Sequence, residues 1–378
     1  MTPSPRTRRR FLLDSGCAVL GASAWTALAS SPSVAAEGPS TQALMSKAAA
    51  FLKPRQGEDG SWSSSRKEPG ITALVVAALL KSKQVTPDEP VVAKALGYLQ
   101  PLIDPSGGVQ APHANYTMAI SLMAFQEANR DGRYNRLIKG GQGFLKDKQW
   151  DESENKGPED PFYGGAGYGG SNSRPDLSNT TFMIEALHDT GLPADDPALQ
   201  KAVVFVSRCQ NLKSEFNDQP WADKVNDGGF VYTAANGGSS VAGEAPGGGL
   251  RSYGSMTYAG FKSLVYAGLT KDDPRVKAAL DYIKNHYTVE ENPGLGQMGL
   301  YYYYQAFGKA MAALGQDTFT DASGKDHDWR AELVAALAKR QHDDGSWVND
   351  ADRFMEGDPN LVTSYALMAL ASTLKPKS

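Results

Sequence analysis

The sequence predicts an all-α protein: about six helix pairs closed into a ring, an α/α toroid with an inner barrel of helices surrounded by outer helices. Three observations predict it. A short motif recurs along the chain, an amphipathic stretch precedes most copies, and a nearly continuous apolar stretch follows each. One such pair cannot bury its apolar helix alone, so neighbours must stack, and a ring covers every inner helix on both sides.

The first copy of the motif is Phe51-Leu52, then Gln56, then Gly60-Ser61-Trp62. Ala336-Leu337, Gln341 and Gly345-Ser346-Trp347 repeat it at identical spacing near the C-terminus. Four weaker copies lie between. Tyr98-Leu99 leads to Gly107-Gly108-Val109, and Phe144-Leu145 with Gln149 leads to Tyr163-Gly164-Gly165. Phe205-Val206 with Gln210 leads to Gly228-Gly229-Phe230, and Tyr282-Ile283 leads to Gly294 and Gly296. Before the turns, segments 48–52, 91–99 and 274–283 carry apolar residues at helical spacing with Lys, Asp or Gln between them, the pattern of an outer amphipathic helix. After the turns, segments 72–80, 116–128, 180–187, 256–267, 300–314 and 363–370 are rich in Ala, Leu and Met, as helices buried on most sides are. Gly, Pro, Asn and Asp cluster at 152–176, 217–250 and 291–299, which marks loops. These insertions follow the outer helices of copies three, four and five, so they gather on the face where inner helices begin.

The first 36 residues predict export. Arg6, Arg8, Arg9 and Arg10 precede an apolar stretch from Phe11 to Ala29 interrupted among charged residues only by Asp14, and small residues lead to Val34-Ala35-Ala36. That is a positive region, an apolar region and a small-residue cleavage pattern. Thr7-Arg8-Arg9-Arg10-Phe11-Leu12 has the spacing of a twin-arginine signal. The expected division is therefore a signal over 1–36 and a toroid domain over 37–378, in the periplasm or outside the cell. Cys17 suits a lipoprotein signal poorly, because Asp14 occupies a position that wants an apolar residue.

The net charge is −4, and removal of residues 1–36, with four arginines and one aspartate, leaves −7. Such a balance gives no footing for nucleic-acid binding, which needs a basic surface. Cys17 and Cys209 are the two cysteines; with the first in the signal, no disulfide framework is expected.

The repeated Phe-Leu-x3-Gln-x3-Gly-x-Trp resembles the QW motif of squalene and oxidosqualene cyclases and the related prenyltransferase and squalene-oxidase repeats. The match is complete over 51–62 and nearly so over 336–347. The resemblance implies a toroid with a central cavity, and structural roles for Gln56, Trp62, Gln341 and Trp347, the Gln capping helix backbone and the Trp packing over it. The activity motifs are a different matter. The Asp-x-Asp-Asp acid motif of the hopene-type cyclases is not found: Asp195-Asp196, Asp272-Asp273 and Asp343-Asp344 each precede Pro or Gly without the upstream partner. The zinc site of protein prenyltransferases needs Asp, Cys and His, and Cys209 has no His at ligand spacing. No metal and no cofactor is expected.

Candidate site residues are the polar and aromatic ones at the starts of inner helices. In Arg174-Pro175-Asp176-Leu177-Ser178-Asn179, Asp176 reads either as a general acid with its pKa raised by burial or as the N-cap of the helix that follows. Arg174 and Asn179 flank it as ligand contacts. His113 and Tyr116 start the second inner helix, Arg251, Tyr253 and Tyr258 the fourth, and Tyr301-Tyr302-Tyr303-Tyr304 the fifth; from the last group Tyr301 and Tyr304 are taken to face the cavity. Aromatic walls suit an apolar or cationic ligand and equally suit sugar stacking. Three readings stay open: a cyclase- or prenyltransferase-like enzyme on an isoprenoid-like substrate, a carbohydrate-active toroid, and a ring that binds a ligand or partner without catalysis. The expected partner is a small molecule or glycan in the central cavity, with peripheral contact to a membrane also expected. Asp176 bonded to its own helix start favours the non-catalytic reading; Asp176 unpaired in the cavity favours the enzyme.

Overall fold

The computed structural model describes residues 40–62, 68–103, 108–169 and 173–375. The expected signal over 1–36, Gly107 and Gly170 lie outside the described residues. The chain runs as outer and inner helices in alternation. The pairs are α1 (Thr41–Leu52) and α2 (Pro69–Lys81), α3 (Pro90–Leu99) and α4 (Ala114–Ala128), then α5 (Asn135–Asp147) and α6 (Leu177–Asp189). In the fourth pair a short helix, α8 (Ala222–Val225), interrupts the connection between α7 (Pro197–Arg208) and α9 (Gly254–Tyr266). The last pairs are α10 (Pro274–Asn285) with α11 (Leu300–Leu314) and α12 (Trp329–Arg340) with α13 (Pro359–Ser372). Two small antiparallel hairpins complete the described structure, β1 (Glu244–Ala245) with β2 (Gly249–Leu250) and β3 (Phe319–Thr320) with β4 (Asp326–His327).

The ring closes. Inner helices touch in the order α2, α4, α6, α9, α11 and α13, and α13 touches α2. The fold class read from the sequence is the one observed. The inner helices bury nearly every residue: in α2 all positions from Pro69 to Leu80 are buried, and in α13 all from Asn360 to Leu370. Outer helices bury one face, for example Val92, Ala95, Leu96 and Leu99 of α3, as an apolar stripe against the barrel requires. Aspartates punctuate the starts. Asp196, Asp273 and Asp358 each accept from a backbone N–H of the first turn, and a proline follows each one, a position where its missing N–H costs nothing.

The recurring Gln is the joint between repeats. Gln56 Nε2 donates to the Gly60 carbonyl at 3.0 Å and to the Val91 carbonyl, in the next outer helix, at 2.8 Å. Gln149 joins Gly164 to Ala198 and Gln210 joins Gly228 to Arg275 in the same way. Gln341 bonds Gly345 and reaches Leu44 of α1, each at 3.0 Å, so the motif also closes the ring. The glycine is required by close approach. Gly164 (φ +80°) lies against the next outer helix so closely that a Cβ would stand 1.8 Å from the Lys201 carbonyl oxygen. Two residues after the glycine, the backbone N–H of Trp62, Ala166, Phe230 or Trp347 donates to a threonine of the inner helix, Thr72, Thr180, Thr257 or Thr363. Trp62 and Trp347 also donate through Nε1 to the carbonyls of Leu52 and Leu337, the latter in α12. These roles are structural, as the motif resemblance implies.

Candidate functional site: an aromatic cavity at the mouth of the barrel

All six inner helices begin at one end of the barrel, and a cavity of about 250 Å³ opens there. Helix positions one or two turns in supply its walls: Ile71 from α2, Tyr116 from α4, Ser178 and Phe182 from α6, Met256 from α9, Tyr302 from α11, Leu361 and Tyr365 from α13. The long connections supply the rim. Tyr168, Tyr232, Val241, Tyr253 and Leu295 come from the connections between the paired helices, as do Phe354 and Met355. The insertions expected on the inner-helix face thus build the mouth. Tyr168, Phe354 and Met355 are also among the few large apolar side chains left exposed.

The walls are rings whose polar ends are already occupied. The Tyr116 and Tyr365 hydroxyls pair at 3.3 Å, and the Tyr302 hydroxyl pairs with Ser178 Oγ at 3.1 Å. Ring edges meet faces from Tyr116 to Phe182, at 5.3 Å between centroids, and from Tyr302 to Tyr365, at 5.9 Å. At the rim His113 Nδ1 lies 3.1 Å from a Glu68 carboxylate oxygen, and its ring is 4.9 Å from that of Tyr168. His113 holds a left-handed backbone (φ 53°) at the start of α4, uncommon for a residue with a side chain. Among the described lining residues Glu68 is the one carboxylate, and no lysine or arginine lines the cavity.

Asp176 stands one step behind the wall. It is the N-cap of α6, accepting from the Asn179 backbone N–H and from Asn179 Nδ2, both at 2.8 Å, and it is buried. Tyr232, which does line the cavity, is close enough to its carboxyl to favour the ionised form. Burial raises the carboxyl to about 6, against the pull of the Asn179 hydrogen bonds, of nearby Tyr232 and of the Arg174 charge. A cap and a weakened acid are therefore the same group.

The structure gathers His113, Tyr116 and Tyr253 into the cavity and leaves the other ligand contacts read from the sequence outside it. Arg174 is not among the lining residues and stacks on one of them, its guanidinium 5.6 Å from the Tyr232 ring centroid. Asn179 is spent on Asp176. Arg251 is exposed next to β2. Tyr258 packs in the core against Tyr303 and Phe307, at 5.5 and 5.0 Å between rings. In the run of four tyrosines each successive side chain turns by about 100°. Tyr302 therefore faces the cavity while Tyr303 and Tyr304 bond the carbonyls of Thr288 and Val289 outside it, and Tyr301 is buried against Tyr304. Sequence reading did not find Phe182 or Tyr365. Each lies four residues below a mouth residue, Ser178 or Leu361, so helical spacing from the mouth was the signal. Tyr168 and Tyr232 sit on loops, where no periodicity points inward. Among the described residues no three His, Cys, Asp or Glu side chains converge as a metal site.

Solved structures share the fold. The type II terpene cyclase MstE of Scytonema, in a variant bound to its substrate geranylgeranyl dihydroxybenzoate, aligns with a TM-score of 0.52 at 13% identity, over 88% of this chain and 97% of that one. A family 76 glycoside hydrolase from a bovine Bacteroides thetaiotaomicron strain aligns at 0.55 and 12% identity, over 88% and 78%. A D-mannose isomerase aligns at 0.55 and 13%, over 88% and 97%. No family model matches the sequence, and no curated protein matches it as a relative. The protein is an α/α toroid, an architecture that terpene cyclases and carbohydrate-active enzymes share.

Proposed function

We propose that this toroid encloses an isoprenoid-like hydrophobic small molecule in its mouth cavity. The observation that carries the reading is the pairing of the wall hydroxyls with one another, Tyr116 with Tyr365 and Tyr302 with Ser178. Satisfied hydroxyls leave ring faces and aliphatic carbons as the surface a ligand meets, and apolar contact is what such a surface rewards. A sugar needs partners for each of its own hydroxyls, and glycoside hydrolysis ordinarily needs two carboxylates flanking one bond; Glu68 alone lines this cavity among the described residues. A cavity of roughly 150 Å³ accepts benzene, so the 250 Å³ here suits about ten carbons, with the rest of a longer chain at the open rim.

A second reading makes the protein a cyclase-like enzyme with Asp176 as the acid. It is supported by the raised carboxyl and its proximity to the lining residue Tyr232. The capping bonds of Asp176 favour the binding reading over it. The same experiment tests both: purified mature protein is incubated with a cell lipid extract and a polysaccharide panel, and mass spectrometry identifies what is retained or changed. A retained, unchanged isoprenoid supports binding. A changed one supports the acid, and Asp176→Asn then abolishes turnover while keeping the ligand. Retained or cleaved glycan overturns the proposal. Export is proposed with it; replacing Arg8 and Arg9 by lysine should stop the first 36 residues from exporting a folded reporter.

A further inference from the structure

Four rings meet across the lumen of the barrel, and they bear on which hydrophobic ligands fit above them. The inner helices stand in the order α2, α4, α6, α9, α11 and α13, yet two of the ring contacts skip a helix. The hydroxyls of Tyr116 on α4 and Tyr365 on α13 meet in front of α2. Phe182 of α6 lies 6.1 Å from Tyr302 of α11, centroid to centroid, in front of α9. Contacts that skip a helix run across the lumen, not along its wall. Tyr116 with Phe182 and Tyr302 with Tyr365 complete a closed belt. Phe182 and Tyr365 follow Ser178 and Leu361 by four residues, about one turn deeper, so they form the lower edge of the belt.

Beneath that edge the lumen carries charge. Glu185 follows Phe182 by three residues, about 4.5 Å along α6. Its carboxylate accepts from Lys262 of α9 and Lys309 of α11, and all three side chains are buried. This contact also spans α6 to α11, with Lys262 of α9 filling the gap between them. A hydrocarbon chain pushed past Phe182 would have to part these ions from one another, and carbon offers them nothing in exchange. The lumen is stopped twice, first by ring packing and then by charge.

We infer that the cavity limits the length of its ligand: it encloses a chain of about ten carbons, Phe182 sets the limit, and the Glu185 cluster is the stop behind it. The inference rests on the hydrophobic-ligand reading above and narrows it to a short chain whose polar end stays at the rim. Carbons beyond the limit stay at the rim as well, where they gain little burial.

The test is calorimetry of the mature protein with alkyl sulfobetaines from hexyl to tetradecyl, each kept below the concentration at which it forms micelles. Affinity should rise about fourfold per added methylene as far as roughly the decyl chain, and change less than about twofold beyond it. Phe182→Ala should move that break outward by about two carbons, into the space the ring leaves. Phe182→Leu, which keeps more of the core filled, should move it by about one and reads the same shift if the Ala variant does not fold. Replacing Glu185, Lys262 and Lys309 together by Leu and Met should leave the break in place while Phe182 is present, and carry it further out once Phe182→Ala is added. Affinity that keeps rising to the tetradecyl chain in the parent overturns the inference and leaves the hydrophobic cavity standing. So does a break that neither Phe182 variant moves, or one that the charge replacement moves alone. Binding of no member of the series removes the hydrophobic-ligand reading and the inference together.

Discussion

The two halves of the inner barrel are built from the same helices and hold together by opposite means. Near the mouth the helices meet through aromatic rings that leave a cavity between them. One to two turns deeper they meet through charge. Glu185 of α6 accepts from both Lys262 of α9 and Lys309 of α11, all three buried. Lys81 of α2 makes a second cluster, bonding Asp189 at 2.7 Å and lying 3.3 Å from Glu127 of α4. Burial works against the Glu185 charge, but the two lysines hold its carboxyl below the ordinary range; burial pushes the Lys309 amine down. Five of the six inner helices thus contribute to two neighbouring ion clusters that act on each other through space. Rings can line a space and remain satisfied without a ligand. Buried charges cannot, so they draw the walls together and fix the register of the helices.

The largest expected effect lies at the charged end. Glu185→Ala leaves two ammonium groups buried without their partner and should cost about 3–5 kcal/mol, read as a lower urea midpoint at unchanged slope. Replacing Glu185, Lys262 and Lys309 together by Leu and Met should restore stability to near the parent value or above it. A loss below about 1 kcal/mol for the single variant would mean that water reaches the network and that the two halves differ less than their side chains suggest.

At the mouth the corresponding effect depends on pH. Asp176 has a folded pKa of about 6 against about 3.9 unfolded, so folding favours its protonated form. Its contribution is fully present below pH 3.9 and is lost as pH rises through 6, a change of roughly 3 kcal/mol. Asp176→Asn should flatten that dependence. The new amide can keep the cap, because Asn179 can turn and offer its oxygen, which has no partner in the parent. Stability followed from pH 4 to 8 should therefore fall for the parent relative to the variant. The charged end should not respond below about pH 7, since Glu185 is held down by its lysines; only near pH 8, where Lys309, lowered by burial to about 8, gives up its proton, should stability begin to rise. Equal slopes for the two proteins would place Asp176 in contact with water.

The ring joint gives a smaller effect that is independent of both halves. Gln341→Ala removes the bonds to Leu44 and Gly345 and should cost about 1–3 kcal/mol in thermal or urea unfolding. Ligand affinity should stay within twofold, because neither carbonyl reaches the cavity. A large affinity loss would show that ring closure shapes the mouth.

The sequence made the repeat legible because it is set by short-range rules. A Gln, a turn glycine and an apolar helix recur at fixed spacing, and Gln56, Gly60 and Thr72 each have counterparts in three other repeats. Copies two and five, with no Gln, were legible only from helix pattern and turns. The ion network was overlooked inside segments read as apolar. A lone Glu185 in one inner helix and a lone lysine at 262 and at 309 in two others were the available signal, since isolated charges in buried helices need one another. The cavity was half legible. His113, Tyr116 and Tyr253 follow from their place at helix starts, whereas Tyr168 and Tyr232 depend on how long connections fold back, which no local pattern encodes. Among Tyr301 to Tyr304 the inward residue is decided by a rotation of the whole helix, fixed by its neighbours.

That rotation yields the smallest prediction and the sharpest test of an apolar wall. Tyr302→Phe deletes a hydroxyl paired with Ser178 and leaves the serine without that partner, a loss of about 1 kcal/mol. Pairing the change with Ser178→Ala removes both ends of the bond and should bring stability back to near the parent, since replacing both partners by apolar groups is close to neutral. A hydrophobic ligand should bind the double variant as well as the parent or slightly better, because the wall has gained apolar surface. If the Tyr302 hydroxyl instead reached the ligand, affinity would fall tenfold or more while stability recovered. Those two readouts move apart only if the hydroxyl serves a ligand rather than the wall.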